Sequence, residues 1–226
     1  MGRIKVLATC ANVVFRRGLV QVLRETTHIE VIQETADAQE AIQLVSQFHP
    51  NVVLIGPVVE KMTSIELIKQ IKEIDHSAHI LACSSTPDVE HILSLLLAGA
   101  DGYLLETGKP EAFIAAITTA YLGESILDPL ILRALLDRLP QFSNEVEKRP
   151  SIPLSAKELA VIKLAAQGMR NKEIAGKLNM SVSTIKAHLA SIFTKLGVTS
   201  RTQAIFNATR EGLLLPGELY ASRLIN

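Results

Sequence analysis

A fivefold alternation over the first 125 residues constrains the fold of this chain more than any other feature. Short runs rich in Val, Ile and Leu stand at Ile4–Ala8, Val31–Gln33, Val52–Ile55, Ile80–Cys83 and Tyr103–Leu105. Each is followed by a stretch of helical apolar periodicity: Val14–Arg24, Ala38–Phe48, Ser64–Ile74, Val89–Ala98 and Glu111–Leu122. Brief, uninterrupted apolar runs suit strands covered on both faces, and helices between them suit crossovers linking parallel strands. The expectation is an α/β domain with a doubly wound, five-stranded parallel sheet and helices on both faces. Ligands of such sheets gather at the carboxyl ends of the strands, here near Cys10, Gly56, Ser84 and Glu106.

The pattern changes after residue 125. A further helix is expected near Pro129–Arg138, and Pro140–Pro153 then carries three prolines among Ser, Asn, Glu and Lys with no apolar period, which reads as a linker. The division is 1–125, a linker helix and linker over 126–153, and 154–226. From Leu154 to about Gly212 the sequence is helical, with breaks at Gly168–Arg170, Asn179–Ser181 and Gly197–Thr199, so the second domain is an all-α unit of four short helices. Ser155 and Glu158 form a capping box at its first helix, and Ser181 caps the third. Net charge is zero over the whole chain, but residues 1–150 hold 13 basic and 19 acidic side chains whereas 151–226 hold 10 and 4. A balance of −6 joined to one of +6 is the asymmetry of a chain in which one part meets phosphates.

In the third helix of that basic domain, Val182, Ile185, Leu189, Ile192, Phe193 and Leu196 form an apolar stripe. The opposite face carries Ser183, Thr184, Lys186, Ala187, His188, Ala190, Ser191, Thr194 and Lys195, a mixture of cations, hydroxyls and small residues that can approach a major groove. Residues 154–214 resemble the LuxR/FixJ (NarL)-type helix-turn-helix. The resemblance is carried by Leu154-Ser155, Lys157-Glu158, Gly168, Asn171 to Ala175 (NKEIA), Leu178, Ser181, Thr184 to Lys186, His188, Lys195 to Val198 (KLGV), Arg201, Ala204 and Gly212 to Leu214. It implies a transcription regulator that binds double-stranded DNA, with Lys186, Ala187 and Ala190 facing base edges. Asn171, Lys172, Thr184, His188 and Lys195 would lie at phosphates or nearby groove. Arg170 departs from the Ser or Thr usual before NKEIA, which weakens a cap and offers a further phosphate contact. In the family the last helix supplies a dimer contact; here Ala204, Ile205 and Ala208 either serve that contact or pack on the domain's own core.

The first domain resembles a response-regulator receiver over its whole length, through Ile4 to Leu7, Arg17-Gly18-Leu19, His49 to Ile55, Ala98 to Leu105 and Pro110-Glu111. Receiver chemistry needs an acceptor aspartate, two acids for Mg²⁺, a lysine for the phosphate and a hydroxyl. The resemblance places the acid pair at Cys10 and Ala11, the acceptor at Gly56, the lysine at Glu106 and the hydroxyl at Ser84. Four of the five are lost, and Glu106 reverses a sign, so the expectation is an atypical response regulator whose receiver-like domain takes no phosphoryl group. Tyr103 keeps the position of the family's switch aromatic and is read here as packing. The segment Val89–Leu122 is apolar enough to make a homodimer face.

Other function classes leave little trace. There is no nucleophile elbow, paired carboxylate, dinucleotide fingerprint or metal-ligand cluster, so no enzyme and no cofactor are expected. Thr107-Gly108-Lys109 fails as a phosphate loop because Gly102 is one residue too far upstream and Pro110 replaces Ser or Thr. Two cysteines far apart, no targeting pattern and no apolar run of about 20 residues point to a soluble cytoplasmic protein with no membrane partner. Cys10 and Cys83 fall on strands that are not neighbours in a receiver, which argues against a mutual disulfide. Two alternatives remain open at this point: a protein-interaction factor that sequesters another regulator, and a redox or ligand sensor acting through Cys10. Control by a protein partner or small ligand is compatible with all three.

Overall fold

The computed structural model describes residues 2–86, 88–124 and 153–214, in two compact units divided after Ile126. The expected helix at 129–138, most of the linker and the last residues of the second domain lie outside the described residues.

The first unit alternates β1 (Ile4–Thr9), α1 (Val13–Arg24), β2 (Ile29–Thr35), α2 (Ala38–Phe48), β3 (Val52–Ile55), α3 (Ser64–Ile74), β4 (His79–Ser84), α4 (Val89–Ala98), β5 (Gly102–Leu105) and α5 (Pro110–Tyr121). All neighbours in the sheet are parallel, in the order β2-β1-β3-β4-β5. Because side chains alternate across a strand, Ile4 and Val6 of β1 join Val52, Leu54 and Leu81 in one face, covered by Leu23 of α1 and Ala116, Ile117 and Ala120 of α5. α1 packs with α5, and α2, α3 and α4 follow one another in contact. Local capping starts the helices where the polar residues stand: Asn12, Asp37, Thr63 and Asp88 each accept a hydrogen bond from the first turn. The predicted doubly wound sheet is observed, with β2 and β4 longer at both ends than their apolar runs because the flanking polar residues still pair.

One core feature has no apolar signature. Lys72 of α3 is 3% exposed; its Nζ lies 3.0 Å from Asp101 Oδ2 and donates to the Ala78 carbonyl at 2.9 Å. Asp101 also accepts from the Ile80 backbone N–H at 2.9 Å and faces His79 Nδ1 at 3.5 Å. Burial alone would raise the Asp101 carboxyl, but Lys72 and His79 outweigh it and hold the pKa at about 2. The pair ties α3 to the entries of β4 and β5, at the edge opposite the strands' carboxyl ends.

The second unit has four described helices: α6 (Ala156–Ala166), α7 (Asn171–Leu178), α8 (Val182–Leu196) and α9 (Arg201–Arg210). Its core joins Val161, Ile162 and Ala165 of α6, Ile174 of α7, Ile185, Leu189, Ile192 and Leu196 of α8, and Ala204, Ile205 and Ala208 of α9. The predicted α8 stripe needs trimming: Val182 is 39% exposed and Phe193 only half-buried. Ala204, Ile205 and Ala208 are buried in this core, so core packing accounts for them and none is left outward for a dimer contact.

Candidate nucleic-acid interface and receiver pocket

α7 ends at Leu178, Asn179 turns the chain in a left-handed conformation, and Met180 N–H returns to the Ala175 carbonyl at 2.9 Å. Ser181 then starts α8, its hydroxyl accepting from Thr184 N–H at 3.0 Å and lying 2.7 and 2.8 Å from the hydroxyls of Ser183 and Thr184. Two helices joined by so short a turn present the second as a rod with one free face. Thr184, Lys186, Ala187 and Ala190 are exposed on α8, His188 is half-buried beside them, and Lys172 is exposed on α7. The helix closes at Gly197, whose φ of 63° suits glycine, while Val198 N–H bonds the Phe193 carbonyl.

Two residues expected at phosphates are occupied within the protein. Asn171 is 2% exposed and its Oδ1 accepts from Arg201 Nη1 at 3.2 Å, while Arg201 Nη2 donates to the carbonyls of Ala165 at 3.1 Å and Met169 at 2.6 Å. Lys195 Nζ pairs with Glu158 Oε2 at 2.7 Å. Glu158, buried at 4% exposure, also accepts from Ser155 N–H at 2.7 Å and from Ser191 Oγ at 2.7 Å. The Lys195 hydrogen bond, with help from Ser191 and Ser155 and against the cost of burial, holds Glu158 at about 2. Arg170 offers no oxygen to cap α7; instead Glu173 Oε2 accepts its backbone N–H at 2.6 Å. Ser191 and Arg201 were not foreseen as organisers of this surface, since their roles rest on partners more than thirty residues away in the chain.

In the first unit Cys10, Ala11, Gly56, Ser84 and Glu106 converge at the carboxyl ends of β1, β3, β4 and β5, as expected. Gly56 has no room for a side chain: a methyl group built there stands 2.5 Å from the Cys10 Cβ, closer still to its Sγ, and 3.2 Å from its Cα. Ser84 Oγ donates to the Thr86 carbonyl at 2.6 Å, within its own loop. Ala11 N–H donates to the Val58 carbonyl at 2.8 Å, joining the loops after β1 and β3. Cys10 and Cys83 are free and buried. Burial raises both thiols, and the Glu106 charge adds to it at each. A reactive thiol needs the opposite environment, one that favours thiolate. Tyr103 is half-buried, its hydroxyl raised by burial. Among the described residues, no three His, Cys, Asp or Glu side chains group to hold a metal ion, and no helix is long and apolar enough to cross a membrane.

Two family models divide the chain in the same way: the response regulator receiver domain matches residues 11–118, and the bacterial regulatory proteins, luxR family, match 152–208. The transcriptional regulatory protein LiaR of Bacillus subtilis is 35% identical over 211 residues, covering 93% of this chain and 99% of that one. This chain belongs to the LuxR family of response regulators. The transcriptional regulatory protein YdfI of the same organism is 32% identical over 210 residues, covering 93% of this chain and 97% of its own length. Among solved structures, the response regulator ChrA of a heme-sensing two-component system superposes with a TM-score of 0.51 at 28% identity, covering 95% of this chain and all of that one. As a member of the LuxR family the chain is a DNA-binding transcription regulator.

Proposed function

We propose that this LuxR-family regulator binds specific duplex sites without aspartyl phosphorylation. The observation that supports this is the approach of Cys10 to Gly56: the place of the acceptor carboxylate has no side chain, and a thiol and its methylene fill the space one would need. With Cys10 and Ala11 where acids would hold Mg²⁺ and Glu106 where a lysine would hold the phosphate, both charge and room oppose the transfer.

The DNA-facing roles follow exposure. Lys186 reads a base edge, Ala187 and Ala190 touch thymine methyls, and Lys172, Thr184 and His188 take phosphate or nearby groove. Asn171 and Lys195 are reassigned to positioning, the first through Arg201 and the second through Glu158. The receiver-like domain, residues 1–125, acts as a homodimerisation and partner- or ligand-docking module through the face of α4, β5 and α5, with Tyr103 packing beneath it. Residues 154–226 read DNA, 126–153 connect the two, and the protein works in the cytoplasm.

The test is selection of DNA fragments by full-length protein never exposed to a phosphodonor. Acetyl phosphate is expected to change neither its mass nor its affinity. An acid-labile phosphoryl adduct on the first domain, or site selection that requires the phosphodonor, would overturn the reading.

A further inference from the structure

Three buried side-chain oxygens among the described residues have no hydrogen-bond partner in the protein: Thr9 Oγ1, the Tyr103 hydroxyl and Glu106 Oε1. Thr9 ends β1 and Glu106 follows β5, both at the carboxyl ends of the strands with β3 and β4 between them, and Tyr103 lies within β5. Native proteins leave few such atoms, because an unpaired buried acceptor forfeits its hydration with nothing in return. Glu106 forfeits most, since an ionised carboxylate only accepts. Its neighbours do not supply the donor. Arg16, whose charge is felt at Cys10, gives Nη1 to the Cys10 carbonyl and Nε to Glu34. Ser84 is turned into its own loop, and neither thiol hydrogen-bonds this oxygen.

Beside exposed Asn12, Ser85, Thr107 and Lys109, part of the rim of this edge is apolar. Val13 and Val14 stand just past Cys10, and Val58 just past Gly56, exposed by 48%, 84% and 62%. Exposed valines together at a sheet edge that ligands favour suit an apolar body rather than water alone. From the orphaned carboxylate oxygen, the valine rim and the closure of Gly56 by Cys10, we infer that this edge binds a small amphipathic organic cation. An amine or amidine head donates to Glu106 Oε1, and an apolar body lies on Val14 and Val58. An anion would meet the Glu106 charge, and the absence of a three-ligand group among the described residues turns the choice from a metal ion to an organic one. The inference rests on the reading that this pocket takes no phosphoryl group, and it names the class of signal the first domain would sense.

Titration of the full-length, isotopically labelled protein with hexylammonium, 1-hexanol and hexanoate, followed by amide chemical shifts, tests it. Hexylammonium is expected to shift the amides of Cys10, Gly56 and Glu106 and to bind well above the other two. Glu106→Gln, which keeps the shape, is expected to lose roughly ten- to a hundredfold of hexylammonium affinity with an unchanged amide spectrum in the free protein. Val14→Ser, at a site with no part in the core, should weaken hexylammonium but not methylammonium. Equal binding of hexanol and hexylammonium, full affinity in Glu106→Gln, or no shift at those amides would each overturn the inference. Acetyl phosphate treatment in parallel separates the two readings: an adduct removes the one beneath, whereas missing amine binding with no adduct removes only this one.

Discussion

Single residues in this protein carry weight in proportion to what encloses them. Gly56 is fixed by Cys10: Gly56→Ala drives a methyl group into that side chain, and over-packing of this kind costs ~1–3 kcal/mol. Urea denaturation should show that loss, and pairing the change with Cys10→Gly should recover most of it; additive losses would show that the two do not share the space. Asp101 is fixed by charge. Asp101→Ala leaves Lys72 buried beside its lost partner, a change worth ~3–5 kcal/mol. Its folded pKa of about 2 lies below the ordinary carboxylate value, so its stabilisation is complete above about pH 4 and is lost as pH falls towards 2. Acid titration of stability should therefore be steeper in that window for the parent than for Asp101→Asn. None of these pairings can be read from composition, because a glycine after a strand or a lysine within a helix looks ordinary until its distant neighbour is known.

At the scale of elements, α8, the helix proposed to read DNA, is held by side chains engaged within its own domain. Glu158 of α6 binds Ser191 and Lys195 of α8 while capping its own helix, so one carboxylate fixes both the start of α6 and its seat against α8. Glu158→Ala leaves the Ser155 hydroxyl cap in place but removes the carboxylate half of the capping box and its bonds to Ser191 and Lys195, each hydrogen bond worth ~0.5–1.5 kcal/mol, and frees Lys195. Melting and DNA affinity should fall together in this variant, with site preference unchanged. Lys186→Ala should lose ~1–3 kcal/mol on the best site and relax one base position, whereas Lys172→Ala should weaken all sites alike and lower the salt slope by about 1. Binding assays across a salt series separate the two, and an unchanged preference in Lys186→Ala would remove it from the readers. The helices themselves were legible from periodicity and caps: Ser155, Ser181 and the αβ alternation stand where the sequence places them. The outward set was legible less completely. Asn171 looks like any polar residue at a helix start, and its burial follows from an Arg201 thirty residues on.

At the scale of the whole molecule, charge is divided between two halves of opposite sign. The isolated 148–226 segment, with most of the basic surplus, should bind non-specific DNA more tightly than the full chain at low salt. That gap should close near 0.1 M salt, where the screening length is ~10 Å; a gap insensitive to salt would point away from net charge as its cause. The sequence by itself determined the order and kind of elements, the two-domain division and the family, because these follow from local periodicity, caps and residue identity at fixed spacing. It also determined that no carboxylate stands at Cys10, Ala11 or Gly56. Only the tertiary structure decided that Cys10 fills the space over Gly56, that Lys195 and Asn171 are engaged within the protein, that α9 buries its small residues, and that Glu106 is left with an unpaired oxygen. The reason is common to all four: each depends on side chains brought together from separate elements, and the distance that decides them is set by packing rather than by spacing along the chain.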